Sequence, residues 1–151
     1  MKRQQLVEQL KVEEGFMSEP YLCTAGHKTI GYGRNLDAHP DFEGETIPEK
    51  CSMELASRIL EHDVIAAEHN LSARWPCFSE LDDARQEALI NMAFQLGTDG
   101  LLEFHKMLAA IQHGDWEKAY SEGLNSKWAK QCPSRAKRVM KQVLTGERYL
   151  I

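Results

Sequence analysis

The sequence predicts an α+β chain, mainly helical, in which a small lobe carrying a β-hairpin is joined by a long helix to a helical lobe. Three observations predict it. A short amphipathic stretch at the start runs into a Gly-rich hairpin, a long apolar-periodic run begins at Ser52, and helical periodicity dominates from Leu81 onward. At 151 residues with 42% hydrophobic content, the chain can bury one core or two small lobes sharing a helix, and it is too short for several independent domains. The expected organisation is one domain over 1–151, comprising a small lobe (1–51), a connecting helix (52–75) and a helical lobe (76–151).

In the first helix Leu6, Val7 and Leu10 mark one apolar stripe. At ~100° per residue Glu14 falls within ~30–40° of the stripe's centre and Glu13 about 70° away, so Glu14 points inward. Val12 faces the other way. Gly15 directly afterwards is the preferred residue for a left-handed C-cap and should end the helix. A half-buried carboxyl group is left at a helix end, a setting in which a carboxylic acid serves as a proton donor.

Two strands follow, Met17 to Cys23 and Lys28 to Gly33, around the turn signal Thr24-Ala25-Gly26-His27, and Pro20 confines the first to a sheet edge. If residues 24 to 28 form a five-residue loop, Cys23 and Thr29 stand directly opposite on one face; a four-residue loop puts them on opposite faces. The first arrangement allows one water between the Cys23 sulfur and the Thr29 hydroxyl. An acid, a second proton acceptor and a hydroxyl are what is needed to protonate one side of a bond and deliver water to the other. The competing reading makes Cys23 a small hydrophobe and Thr29 an ordinary strand residue.

Residues 35 to 50, with Pro40, Gly44 and Pro48, read as a loop. Ser52 then caps a run through Leu55, Ala56, Ile59, Leu60, Val64, Ala67 and Leu71 that ends near Trp75-Pro76, although Thr46 with Glu49 offers a competing capping box. Beyond Leu81, the residues Ala84, Ala88, Leu89, Met92, Ala93 and Leu96 form a stripe closed by Gly97. Shorter helices are expected around Phe104 to Gln112, Asp115 to Glu122 and Arg135 to Leu144.

Composition narrows the function classes. No window approaches eighteen apolar residues, and the start M-K-R-Q-Q-L-V-E-Q-L-K is too polar for a signal peptide or anchor, so the protein is expected in the cytoplasm until something else opens the membrane. Four cysteines, at 23, 51, 77 and 132, include no C-x-x-C pair, and the Cys23–His27 spacing has no second pair to complete a zinc site. No metal, cofactor or disulfide framework is expected. Residues 1–75 carry 8 basic and 13 acidic side chains, whereas 76–151 carry 10 of each, with seven of the basic ones between Lys127 and Arg148. The acidic balance and the lack of a recognition motif argue against a nucleic-acid binder. The basic stretch is a solvated helix face or a surface that favours approach to an anionic cell wall.

Glu14, eight residues, Cys23, five residues, Thr29 and then I-G-Y-G resemble the catalytic pattern of phage lysozymes of the T-even type, glycoside hydrolase family 24, in which the middle residue is Asp or Cys. L-D-D-A-R-Q-E-A-L-I-N-M-A-F-Q-L-G from Leu81, G-D-W from Gly114, S-K-W from Ser126 and P-S-R-A-K-R-V from Pro133 resemble that family's helical lobe, so nearly the whole chain is covered. The resemblance implies a two-lobed lysozyme fold. It also implies an endolysin that hydrolyses the β-1,4 bond between N-acetylmuramic acid and N-acetylglucosamine in peptidoglycan, with inversion, to lyse a bacterial host. In that role Glu14 is the acid, Cys23 activates water and Thr29 positions it; Phe94 and Gln95 contact substrate, and Arg135 faces Glu14 as its partner. The implied partners are peptidoglycan glycan strands, with no nucleic acid and no stable membrane insertion. A monomer acting on the wall in the periplasm, released by a separate membrane-permeabilising protein, completes the expectation.

Two departures stand out. The stretch between hairpin and long helix is about ten residues shorter than in the T-even type, and the base is a thiol, which at an unperturbed pKa of about 8.5 is mostly protonated at neutral pH. Three rival readings follow. A lytic transglycosylase needs only the catalytic Glu and leaves 1,6-anhydro ends; a Cys-His amidase needs a third residue to orient His27; a non-catalytic wall-binding module needs neither.

Overall fold

The computed structural model describes residues 3–23 and 25–148. They form two compact units, one up to Ile65 and one from Ala66. The boundary falls inside the long helix.

In the N-terminal unit, helix α1 (Gln4–Glu14) buries Leu6, Val7 and Leu10 completely and leaves Val12 65% exposed, as the stripe predicts. The helix stops at Gly15, whose N–H bonds the Lys11 carbonyl and whose φ of 68° and ψ of 160° lie outside the left-handed helical region. That conformation is open essentially to glycine alone, and it turns the chain straight into a strand.

Strands β1 (Met17–Leu22), β2 (Lys28–Gly31) and β3 (Arg34–Asn35) form an antiparallel sheet in that order. Pro20 lies on the edge strand, where the register shifts between Met17 and Tyr21. The pairing differs from the expected one. Thr29 opposes Tyr21 and Leu22 opposes Lys28, while the Cys23 N–H bonds the His27 carbonyl at 3.0 Å and the Gly26 N–H bonds the Cys23 carbonyl at 2.8 Å. The loop is therefore shorter than five residues, and Cys23 and Thr29 are diagonal neighbours rather than a directly opposed pair. Alternation still places Tyr21, Cys23 and Thr29 on one face, because the pairing slipped by an even number of residues. Thr24, part of the expected turn, lies outside the described residues.

Residues 35 to 50 are not a plain loop. They finish β3 and then form a small hairpin, β4 (Asp41–Phe42) and β5 (Glu45–Thr46), which turns through Glu43 and Gly44, both at positive φ. With Thr46 paired in a strand, the competing capping box does not form. Helix α2 (Met53–Arg74) instead starts where the Ser52 hydroxyl accepts the Leu55 N–H at 3.1 Å, and it buries Ala56, Ile59, Leu60, Val64 and Leu71. The Arg34 guanidinium donates to the carbonyls of His39 and Asp41 and to the Asp63 carboxylate, tying the segment after the sheet to α2.

The C-terminal unit continues through a 3-10 helix at Pro76–Glu80 into α3 (Asp83–Leu102), α4 (His105–Gln112), α5 (Trp116–Leu124), α6 (Lys127–Gln131) and α7 (Pro133–Thr145). Asp82, Asp115 and Ser126 cap α3, α5 and α6 through their side chains. Gly97 breaks α3 with a φ of 77°, but helix resumes afterwards to Leu102, so the expected end is a kink. Helix α6 is the one the periodicity missed, since five residues are too few to show a period. Leu89, Ile90, Met92, Leu101, Met107, Met140 and Val143 are buried in the core of the C-terminal unit. Among the described residues no helix is long and apolar enough to cross a membrane.

Candidate active site

Of the predicted residues, Glu14, Cys23 and Thr29 lie in the N-terminal unit. Glu14 is the last residue of α1, and its carboxyl group rests against the backbone of Gly33, in the turn between β2 and β3. A β-carbon at position 33 would lie 2.9 Å from Glu14 Oε2 and 3.1 Å from its Cδ, and φ there is +82°. The positive φ favours glycine at 33, and a β-carbon there would displace the Glu14 carboxyl from its seat. Phe16 packs against Tyr32 at 5.5 Å between ring centroids, and the Lys11 ammonium lies 5.7 Å from the Tyr32 ring centre, so the same turn is pinned to the end of α1.

Thr29 is buried on β2, and its hydroxyl donates to the His27 carbonyl at 2.9 Å. Cys23, partly exposed, is the next polar group on that face. Burial pushes its thiol up, but the N–H groups of His27, Ala25 and Gly26 and the Thr29 hydroxyl together hold its pKa below the ordinary value. The donors at the hairpin end therefore bias the thiol toward ionisation. Thr29 has a single proton to give, so its hydroxyl serves either the His27 carbonyl or the thiolate.

Tyr21 is the residue that sequence reasoning missed. It opposes Thr29 on the same face. Burial, then the charge of Glu14, then that of Cys23, push its phenol up, which places Tyr21 within electrostatic reach of both. Its position two residues before Cys23 was the available signal. Gly33 was also missed as a site residue, though it stands in the quoted I-G-Y-G.

His27 is exposed. Its Nδ1 lies 3.8 Å from Asp37 Oδ2, beyond hydrogen-bonding range, and that oxygen accepts the Lys28 N–H at 3.0 Å. Asp37 does not supply the orienting bond that a Cys-His nucleophile needs.

Phe94, Gln95 and Arg135 belong to the C-terminal unit. Phe94 and Gln95 are half-buried on α3. The Gln95 Oε1 accepts the Trp128 indole N–H at 2.8 Å, and its Nε2 donates to the Cys132 sulfur at 3.0 Å, leaving one N–H and one lone pair for another partner. Arg135 is buried, and its Nε and Nη2 both donate to Asn91 Oδ1, at 3.1 and 2.9 Å. Among the described residues no group of three or more His, Cys, Asp or Glu could hold a metal ion.

The N-terminal unit thus holds a helix-end carboxyl seated on a glycine turn and a hairpin face with a donor-stabilised thiol and a buried hydroxyl. Residues 11–146 match the phage lysozyme family, and the chain belongs to that family of peptidoglycan-acting glycoside hydrolases. It is 34% identical to probable T4-type lysozyme 2 of Dictyostelium discoideum, over 93% of this chain and 94% of that protein. It is 30% identical to probable T4-type lysozyme 1 of the same organism, over 91% and 92%. It is also 33% identical, over 93% of its length, to the pre-baseplate central spike protein Gp5 of Enterobacteria phage T4, of which it spans only 28%.

Proposed function

We propose that this chain is an endolysin that hydrolyses the β-1,4 bond between N-acetylmuramic acid and N-acetylglucosamine, opening the wall of a bacterial host. The observation that carries the reading is the Glu14 carboxyl seated on Gly33, in the same sheet whose β1–β2 face presents Cys23 and Thr29. Glu14 protonates the leaving glycosidic oxygen. Cys23, as thiolate, takes the proton of a water held by Thr29, and that water attacks the anomeric carbon from the other side of the sugar with inversion. The acid and the water-activating group then stand roughly 6.5–9.5 Å apart, leaving room for the water. Phe94 and Gln95 contact the glycan. The enzyme works as a monomer, waits in the host cytoplasm, and reaches the periplasmic wall when a separate protein permeabilises the membrane.

A glutamine at 14 preserves shape and hydrogen bonding but supplies no acidic proton. Glu14→Gln therefore abolishes clearing of chloroform-treated Gram-negative cells with little loss of stability, whereas Glu13→Gln is mild. Substantial lysis by the purified Glu14 variant would refute the assignment.

A further inference from the structure

Tyr21 has no part in the chemistry just described, yet it occupies the centre of the hairpin face. Its Cα partner is Thr29, and alternation along β1 puts its side chain on the same side as that of Cys23. The ring is half-buried, and its hydroxyl makes no hydrogen bond with any described residue. A partly buried phenol usually finds a partner for its polar end. None of the described residues supplies one, and what enters the site is a sugar chain whose hydroxyl, ring and amide oxygens are all acceptors.

We propose that Tyr21 is a further substrate-binding residue of this site, its phenol donating a hydrogen bond to an uncharged oxygen of the glycan beside the bond that is cleaved. The inference rests on the glycosidase reading above. Partial burial, reinforced by the charge of Glu14 and then of Cys23 whenever either is ionised, raises the phenol's pKa above its ordinary value, so across the working range Tyr21 is a donor and not a base. Its ring edge and face meanwhile suit the apolar C–H surface of a pyranose. Because the accepting oxygen gains no charge as the bond breaks, the contact holds ground state and transition state alike. Its loss falls on KM and spares kcat.

The test is steady-state hydrolysis of soluble, uncrosslinked glycan strands by the parent protein, Tyr21→Phe and Tyr21→Leu, between pH 5 and 9, with melting temperatures measured alongside. Phe keeps the ring and removes the donor: KM rises about five- to tenfold, kcat stays within about twofold, and the melting temperature is unchanged. Leu, losing the ring as well, raises KM further. The ratio of parent to Phe variant stays flat with pH, since the phenol remains protonated throughout. A KM for Tyr21→Phe equal to the parent's, or a loss that follows the melting temperature, overturns the proposal while leaving the glycosidase reading intact. A parent protein that leaves the glycan uncut overturns that reading and the proposal with it.

Discussion

At position 33 a single methyl group separates the placement of the acid from its chemistry. Gly33→Ala forces a β-carbon into the space of the Glu14 carboxyl at a backbone angle that alanine resists. The variant should lose about 1 kcal/mol of stability and, because misplacing a catalytic group by about 1 Å is costly, about a hundredfold in kcat. Assay of wall lysis against urea stability separates the two, and full activity would mean that the seat is unimportant. Cys23 carries the second residue-scale prediction. Its thiol titrates below the ordinary value, so the thiolate fraction, and with it inactivation by iodoacetamide, rises with pH through a midpoint lower than that of a free cysteine. Thr29→Val removes one donor and moves that midpoint up. Cys23→Ser should be strongly impaired, while Cys23→Asp keeps substantial activity by supplying a carboxylate base; full activity of Cys23→Ala would make the thiol structural. Helical periodicity was enough to turn Glu14 inward, and the even spacing of Cys23 and Thr29 was enough to put them on one face. The Thr29–Tyr21 pairing was not legible, because it depends on loop length, and one loop length could not be told from another by residue type alone.

Among elements, the segment after the sheet shows where periodicity runs out. Strands β3, β4 and β5 have two residues each, too few for alternation to appear, and they persist because Arg34 binds two carbonyls and the Asp63 carboxylate at once. Phe42 packs edge-on against His62 at 5.4 Å between centroids, adding an apolar anchor on α2. Burial pushes the Asp63 carboxyl up despite the pull of Arg34, then of His62 and His39. For an acid whose folded pKa is raised, the associated stability is present at low pH and is lost as pH rises through the folded value, so ionised Asp63 is a burden that Arg34 offsets. Arg34→Met should therefore destabilise the protein by about 3 kcal/mol at pH 7. Part of that loss returns at a lower pH, as Asp63 takes up a proton. Urea unfolding at the two pH values checks this, and a deficit that does not shrink on acidification would show that Arg34 acts through its carbonyl bonds alone. The start of α2, by contrast, was readable in advance from Ser52, whereas the caps Asp82 and Asp115, one residue before α3 and α5, were not picked out although each bonds the N–H that its position dictates.

For the whole molecule, the mainly helical α+β class and the order of its parts followed from patterns many residues long, which short irregularities do not erase. The boundary between the two compact units was not legible. It falls within α2, where the apolar stripe runs on through Leu60, Val64 and Leu71 without a break in composition. Family membership makes the chain a lysozyme; the remaining chemical question is the fate of water. A thiol held toward its ionised form beside a buried hydroxyl has a use if an external water is the nucleophile, and none if the sugar's own hydroxyl closes on the anomeric carbon. Digestion of purified peptidoglycan in heavy-oxygen water, with mass spectrometry of the fragments, decides this most directly. The account predicts reducing N-acetylmuramic acid ends carrying one heavy oxygen, lost in Glu14→Gln. Predominantly 1,6-anhydro ends, one water lighter and unlabelled, would contradict it.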